Sequence, residues 1–245
     1  MWEFSITINF KYKSYLNYIL QEIRFAKIDV ISAFNIDGND AKLTIAVDVK
    51  YMQKLANILV DSISNIILYT YKKEFFKKNL NLKNLDSVSR STFLKTLVMF
   101  DSECDKEEIK QELILHKELN INSFYYFKLS FLKDKWQEIL NIVNYGSNIT
   151  NNTEFIELLK FLVNNIESHI SVTNVYFKHN KFLICNNKNI PIFFNDREFG
   201  VEESLLSQLI ELNPKLINLY CFSNISAETF KLMSYVFDKK INLMN

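Results

Sequence analysis

The histidines and cysteines set the outer limit on what this chain could do chemically. His169, His179 and Cys185 fall close together and Cys221 follows; imidazole and thiolate are the ligands zinc prefers. Their spacing matches no familiar zinc module. His179 falls where a hairpin tip is expected, facing water, and Cys185 and Cys221 fall in apolar strand-like runs, where a free thiol behaves as a small hydrophobe. Structural roles are therefore expected of all of them, with no metal. A Cys–His nucleophile pair needs a base held by a third group, and no local signature supplies one. The adjacent acids Glu107–Glu108 and Glu202–Glu203 point about 100° apart on a helix, which suits solvent better than paired acid–base work.

Phosphate chemistry is disfavoured by glycine content. The chain has three glycines, Gly38, Gly146 and Gly200, in 245 residues. Phosphate loops, dinucleotide fingerprints and nucleophile elbows need them in clusters. No cofactor is expected. The most basic stretch is Lys72, Lys73, Lys77, Lys78 and Lys83, interleaved with Phe75 and Phe76. A helix with lysines on one face and phenylalanines on another could rest on an anionic lipid surface or on RNA. It also reads as a solvated helix end, for which the acidic stretch 101–118 supplies intramolecular counter-charge. With 29 basic and 28 acidic side chains, net charge +1, there is no global field to gather nucleic acid, and no specific nucleic-acid partner is expected. Abundant Asn, Lys, Ile, Tyr and Phe resemble coding in an AT-rich genome, which inflates lysine clusters.

Elements to position these residues follow from periodicity. Residues 2–10 alternate as a strand, and Tyr15, Leu16, Ile19, Leu20 and Ile23 form a helical stripe. Two β-like runs, 30–36 and 42–49, flank Asp37-Gly38-Asn39-Asp40, a hairpin turn. Residues 1–50 thus predict a small β-α-β-β unit. Leu55, Ile58, Leu59, Ser62, Ile66 and Tyr69 continue one long helix over about 50–80, with Asp48 as its cap. Further helices are predicted at 87–101, 105–118 and 123–145. The helix through Phe155, Leu158, Leu159, Leu162, Val163 and Ile166 has the clearest apolar stripe. Residues 51–168 read as a helical region. From 169 to 245 the order is β-β-α-β-α-β, with strands 172–177 and 181–185, a helix 202–212 stopped by Pro214, a strand 216–222, a helix from Ser226 and an apolar tail. The expected class is α+β. Three widely spaced cysteines argue against a disulfide framework. No apolar run approaches the roughly 20 residues that span a bilayer, and a cytoplasmic location is expected.

Two segments carry a family resemblance. Asn120-Ile-Asn-Ser-Phe-Tyr-Tyr-Phe-Lys-Leu129, then Trp136, then Glu154-Phe-Ile-Glu-Leu-Leu-Lys-Phe-Leu-Val163 resemble the YtxC-like family of sporulation-linked proteins. Its members show an I-x-G-F-x-x-F-R-L helix start, an E-F-I-x-L-L-K-Y-F-V helix, then a hairpin and an α/β tail. The resemblance covers residues 119–245. Ser123 stands where the family favours Gly, Lys128 where it has Arg, and Ile166 where a Gln is common. An ammonium cannot copy the two-pronged hydrogen bonding of a guanidinium. The resemblance implies a cytoplasmic protein of a spore-forming bacterium, with no catalytic residues to carry over. The leading expectation is a non-enzymatic binding or assembly protein with a protein partner, in which the 154–166 helix packs on the 124–143 helix. The alternative is an enzyme or small-molecule binder whose pocket, between the helical layer and the C-terminal unit, involves Lys128, Glu154 and His169.

Overall fold

The computed structural model describes residues 1–80, 87–146, 152–168, 170–192 and 201–244. The fold is α+β, and its contacts divide it into two compact units. Unit 1 comprises Met1–Phe75 and Ser102–Ile139; unit 2 comprises Phe76–Asp101 and Leu140–Asn245. Each unit is discontinuous in sequence.

Unit 1 is built on β1 (Trp2–Asn9), α1 (Ser14–Phe25), β2 (Val30–Asp37) and β3 (Asp40–Val47), the expected β-α-β-β order. The β2–β3 hairpin closes through Gly38-Asn39, with Asp37 opposite Asp40. Gly38 takes φ +56°, a conformation glycine adopts without steric penalty. A fourth strand, β4 (Glu118–Asn120), lies parallel to β1 and completes a sheet of order β2-β3-β1-β4. That strand falls at the end of the stretch read as a helix over 105–118. The helix itself is α5 (Ser102–Glu112). One sheet face carries the rows Phe4–Ile45, Ile6–Leu43 and Ile8–Ala41, all buried. Burying each of the larger side chains contributes about 1.5–3 kcal/mol.

The long helix predicted over 50–80 is continuous but not uniform. It runs as α2 (Met52–Ile66), a π-helical stretch Ile67–Lys72, and α3 (Lys73–Asn79). Asp48 accepts from the Lys50 N–H, capping a short 3-10 turn just ahead of it. The helix expected over 123–145 is two: α6 (Ile121–Lys128) and α7 (Ser130–Gly146). Leu129, buried between them, has φ −103° and ψ 33°, outside the helical range.

Unit 2 contains α4 (Ser87–Met99), α8 (Asn152–Asn164), β5 (Val172–Lys178), β6 (Lys181–Asn186), α9 (Val201–Leu212), β7 (Leu216–Leu219), α10 (Ala227–Phe237) and β8 (Ile241–Leu243). The β-β-α-β-α-β order read from sequence is present. The second sheet runs β6-β5-β7-β8, with β5–β6 antiparallel and β5–β7 and β7–β8 parallel. The β5–β6 turn, His179-Asn180, has both residues at positive φ (51° and 59°), the type I′ pattern that suits the twist of a hairpin. Among the described residues α8 packs mainly on α10 and α4, in place of the 124–143 partner expected from its stripe. Leu159, Leu162, Val163 and Ile166 are its buried face.

Candidate functional site

The π-helical stretch changes which residues face inward. Successive residues are buried along this helix, Ser62 to Ser64 on α2 and Thr70, Tyr71 and Lys72 in the π stretch. A π turn fits an extra residue into one turn, so neighbours share the inner side. Lys72 is 0% exposed, and its Nζ lies 2.7 Å from Asp105 Oδ2 on α5, itself 0% exposed. The Trp136 indole N–H of α7 donates to the same oxygen at 2.8 Å. Lys135 Nζ approaches Asp105 Oδ1 at 3.0 Å. One carboxylate thus ties the π turn to α5 and α7.

Aromatic rings surround this charge cluster. Tyr71 stands 4.6 Å from Tyr125 and 5.5 Å from Tyr12, ring centre to ring centre. Trp136 lies 6.3 Å from Tyr125 and 5.7 Å from Phe75. The Tyr71 hydroxyl donates to Asn122 Oδ1. Burial pushes the phenols of Tyr12, Tyr71 and Tyr125 well above their ordinary range, with the Glu74 carboxylate adding to the effect on Tyr12. They stay protonated at any physiological pH. The cluster holds groups that enzymes use, but a general acid or base must reach its substrate. Asp105 and Lys72 are enclosed and turned toward each other, an arrangement suited to clamping helices.

Lys72, expected as an anionic-surface contact, is therefore an interior residue, and its charge is met by the acidic segment that the sequence offered as counter-charge. Lys73 is half-buried, and Lys77 and Lys78 are exposed at the end of α3. Lys83 lies outside the described residues. Lys128 is exposed at the end of α6 in unit 1. Glu154 lies on α8 of unit 2, with its side chain outside the described residues, as is His169 altogether. Cys185 and Cys221 are buried and His179 is exposed. Burial raises both thiols, Cys221 to about 11. Among the described residues no three His, Cys, Asp or Glu side chains gather as a metal site, and no helix is long and apolar enough to cross a membrane.

Glu202 has a defined job. Its carboxylate accepts from the Ser226 N–H (2.8 Å), the Ser226 hydroxyl (2.6 Å) and the Thr229 hydroxyl, bracing the first turn of α10. Burial pushes this acid up, but the three hydrogen bonds outweigh it and hold the group below the usual carboxylate range. Sequence reading did not anticipate two further features. Asn218 Nδ2 donates to Asn174 Oδ1 (2.9 Å) and Asn174 Nδ2 to Asn189 Oδ1 (2.7 Å), forming an amide row across the second sheet. Beside it Tyr176 and Tyr220 stack at 4.7 Å. The signal was the equal offset of Asn and Tyr, two residues apart, in β5 (Asn174, Tyr176) and at the end of β7 (Asn218, Tyr220).

The α6 segment divides sharply between anchor and display. Asn120 Oδ1 accepts from the Ser123 N–H at 3.0 Å, capping the helix. Ile121, Phe124, Tyr125 and Leu129 are buried, whereas Tyr126 is 60%, Phe127 80% and Phe131 40% exposed. Lys133 Nζ donates to the Tyr126 carbonyl (2.9 Å) and fixes the chain at the α6–α7 break. The site thus belongs to an α+β protein with two mixed four-stranded sheets. Compared with known proteins, the chain matches no family model, no curated protein and no solved structure.

Proposed function

We propose that the protein is a non-enzymatic binding or assembly protein of the YtxC-like kind that residues 119–245 resemble, acting in the cytoplasm during sporulation through a protein partner. The observation that carries this reading is the display of Tyr126, Phe127 and Lys128 on a helix whose other large side chains are anchored inside. Leaving a phenylalanine in water forfeits about 1.5–3 kcal/mol of burial, which a partner surface would recover. Exposed aromatics are among the residues that dominate protein interfaces, and a lysine beside them suits the polar rim of such a patch. Ionisable groups engaged inside the chain fit the same reading, because the buried Lys72–Asp105 pair and the half-buried Glu202 hold helices in place.

Affinity capture from sporulating cells tests it, using the wild-type chain against Phe127→Ala and Lys128→Glu. A protein captured by the wild type should be lost or strongly depleted with both variants, while their melting temperatures stay close to that of the wild type. The same proteins captured by all three chains would overturn the proposal.

A further inference from the structure

The outer edge of the first sheet is open. Among the described residues strand β2 is the edge strand, paired only with β3, and Ile31 through Asp37 are all exposed. The register determines which groups face outward. A two-residue turn makes Asp37–Asp40 a hydrogen-bonded pair, so Ile31, Ala33, Asn35 and Asp37 turn their backbone groups toward β3. Val30, Ser32, Phe34 and Ile36 turn theirs away from the sheet. The Ile36 N–H accordingly meets the Asn35 side-chain oxygen, 2.9 Å away, and no ladder carbonyl.

The same four residues lie on the core face. Phe34 stands opposite Leu43, and Ile36 opposite Ala41. Leu43 and Ala41 are at most 1% exposed, yet Phe34 is 48% and Ile36 49% exposed. The apolar layer therefore continues onto β2 beyond its helical cover. Edge strands are ordinarily guarded by lysine, proline or a bulge; β2, Val-Ile-Ser-Ala-Phe-Asn-Ile-Asp, has no lysine or proline and pairs with β3 without a bulge.

Charge decides what fits there. Asp29 and Asp37, both exposed, bracket the strand, and among the described residues neither carboxylate has an ion-pair partner. Lys42, opposite Asn35 across the ladder, is engaged by Glu118 at 2.8 Å. A second copy is a poor occupant. The antiparallel register that pairs the whole strand sets Ala33 against Ala33 and Asp29 against Asp37 at both ends, and like charges directly opposite are destabilising. We infer that β2 receives an extended segment of another protein, about nine residues long, with small or β-branched apolar residues in alternation and a lysine or arginine at each end. The segment would extend the sheet by one strand, cover Phe34 and Ile36, and set its cations beside Asp29 and Asp37. This surface is separate from the α6 display, so either can fail without the other.

The test is fluorescence anisotropy on the full chain with two rhodamine-labelled peptides, Lys-Val-Thr-Val-Thr-Val-Thr-Val-Lys and the same sequence ending in Glu at both termini. The lysine peptide should bind at least about tenfold more tightly than the glutamate one, with the difference shrinking as salt is raised. Ser32→Pro removes an outward N–H and leaves the β3 ladder intact, a place where an edge strand tolerates proline; it should abolish binding with an unchanged circular dichroism spectrum. Should that variant fold poorly, Asp29→Asn/Asp37→Asn should cut binding of the lysine peptide about tenfold and leave the glutamate peptide no weaker. The inference is overturned by equal binding of the two peptides, by no binding, by a well-folded Ser32→Pro chain that binds normally, or by self-association of the chain that Ser32→Pro abolishes.

Discussion

Removing Asp105 should be the most damaging single truncation of a polar side chain in unit 1. At 2.7 Å, two unit charges attract by about 6 kcal/mol at an effective dielectric of 20. Desolvating both ions offsets most of that gain, so the intact pair contributes little net stability. Loss of one member is another matter, because the survivor keeps its desolvation penalty, and breaking a buried pair costs about 3–5 kcal/mol. Asp105→Ala takes an acceptor from two buried donors at once, the Lys72 ammonium and the Trp136 indole. It should cost about 4 kcal/mol. Lys72→Met should cost about 2 kcal/mol, since Asp105 keeps the Trp136 N–H and Lys135. In the double variant the charge penalty disappears along with the pair, and the cost should not exceed that of Asp105→Ala alone.

Urea unfolding followed by tryptophan fluorescence reads these values directly, because Trp2 and Trp136, the two tryptophans of the chain, both belong to unit 1. In thermal melts the Asp105→Ala loss should appear as a drop of about 8–16 °C. Costs below about 1 kcal/mol for Asp105→Ala, or single losses that simply add in the double variant, would show that the cluster does not clamp the π turn.

Other consequences follow from unit 2 and the thiols. Glu202 titrates lower in the folded chain than in the unfolded one, so its contribution is full above the unfolded carboxylate range and vanishes as pH falls through the folded value. Glu202→Gln should therefore lower stability by about 1–2 kcal/mol at pH 7, with the gap to the wild type closing as pH falls through the folded-state range, as compared by melting across a pH series. Asn213, at φ 36°, donates to the Val163 and Ile166 carbonyls and accepts from Lys240. Asn213→Ala should cost about 2–3 kcal/mol, and Asn213→Gly somewhat less because it removes the backbone strain; equal losses would assign no role to that strain. At pH 8 Cys104, which is exposed, should react first with a thiol reagent, while Cys185 and Cys221 wait for denaturant. Mass spectrometry of the labelled chain distinguishes the order, and with Cys221 raised to about 11 only about a thousandth of it would be thiolate.

Much of the fold was legible because its signals are local. Gly38 and the alternation on either side of it gave the β2–β3 hairpin, and Pro214 and Ser226 punctuated the C-terminal β-α-β-α-β run. Ser226 Oγ indeed accepts from the Thr229 N–H at the start of α10. Strand β4 was not legible. Three residues, Glu-Leu-Asn, carry no period, and their extended state comes from pairing with β1, more than a hundred residues away. Nor was the break at Leu129, since α6 and α7 keep apolar residues at helical spacing on both sides of it.

Lys72 was misplaced for a related reason. Lysine is almost never fully buried unless paired, so a run of Lys72, Lys73, Lys77 and Lys78 reads as solvent-facing until the partner is known. The partner, Asp105, lies on α5, and Lys72 sits in a π turn, whose extra residue displaces it from the position a straight 3.6-residue period assigns it. Both omissions concern the return of residues 102–139 to the N-terminal segment. That return brings β4 to the edge of β1 and Asp105 beneath the π turn, leaving β2 at the opposite edge with no strand among the described residues to cover it. The open edge is thus a consequence of topology: β4 occupies one side of a sheet that has two, and the strand on the other side is the one whose apolar residues remain in water.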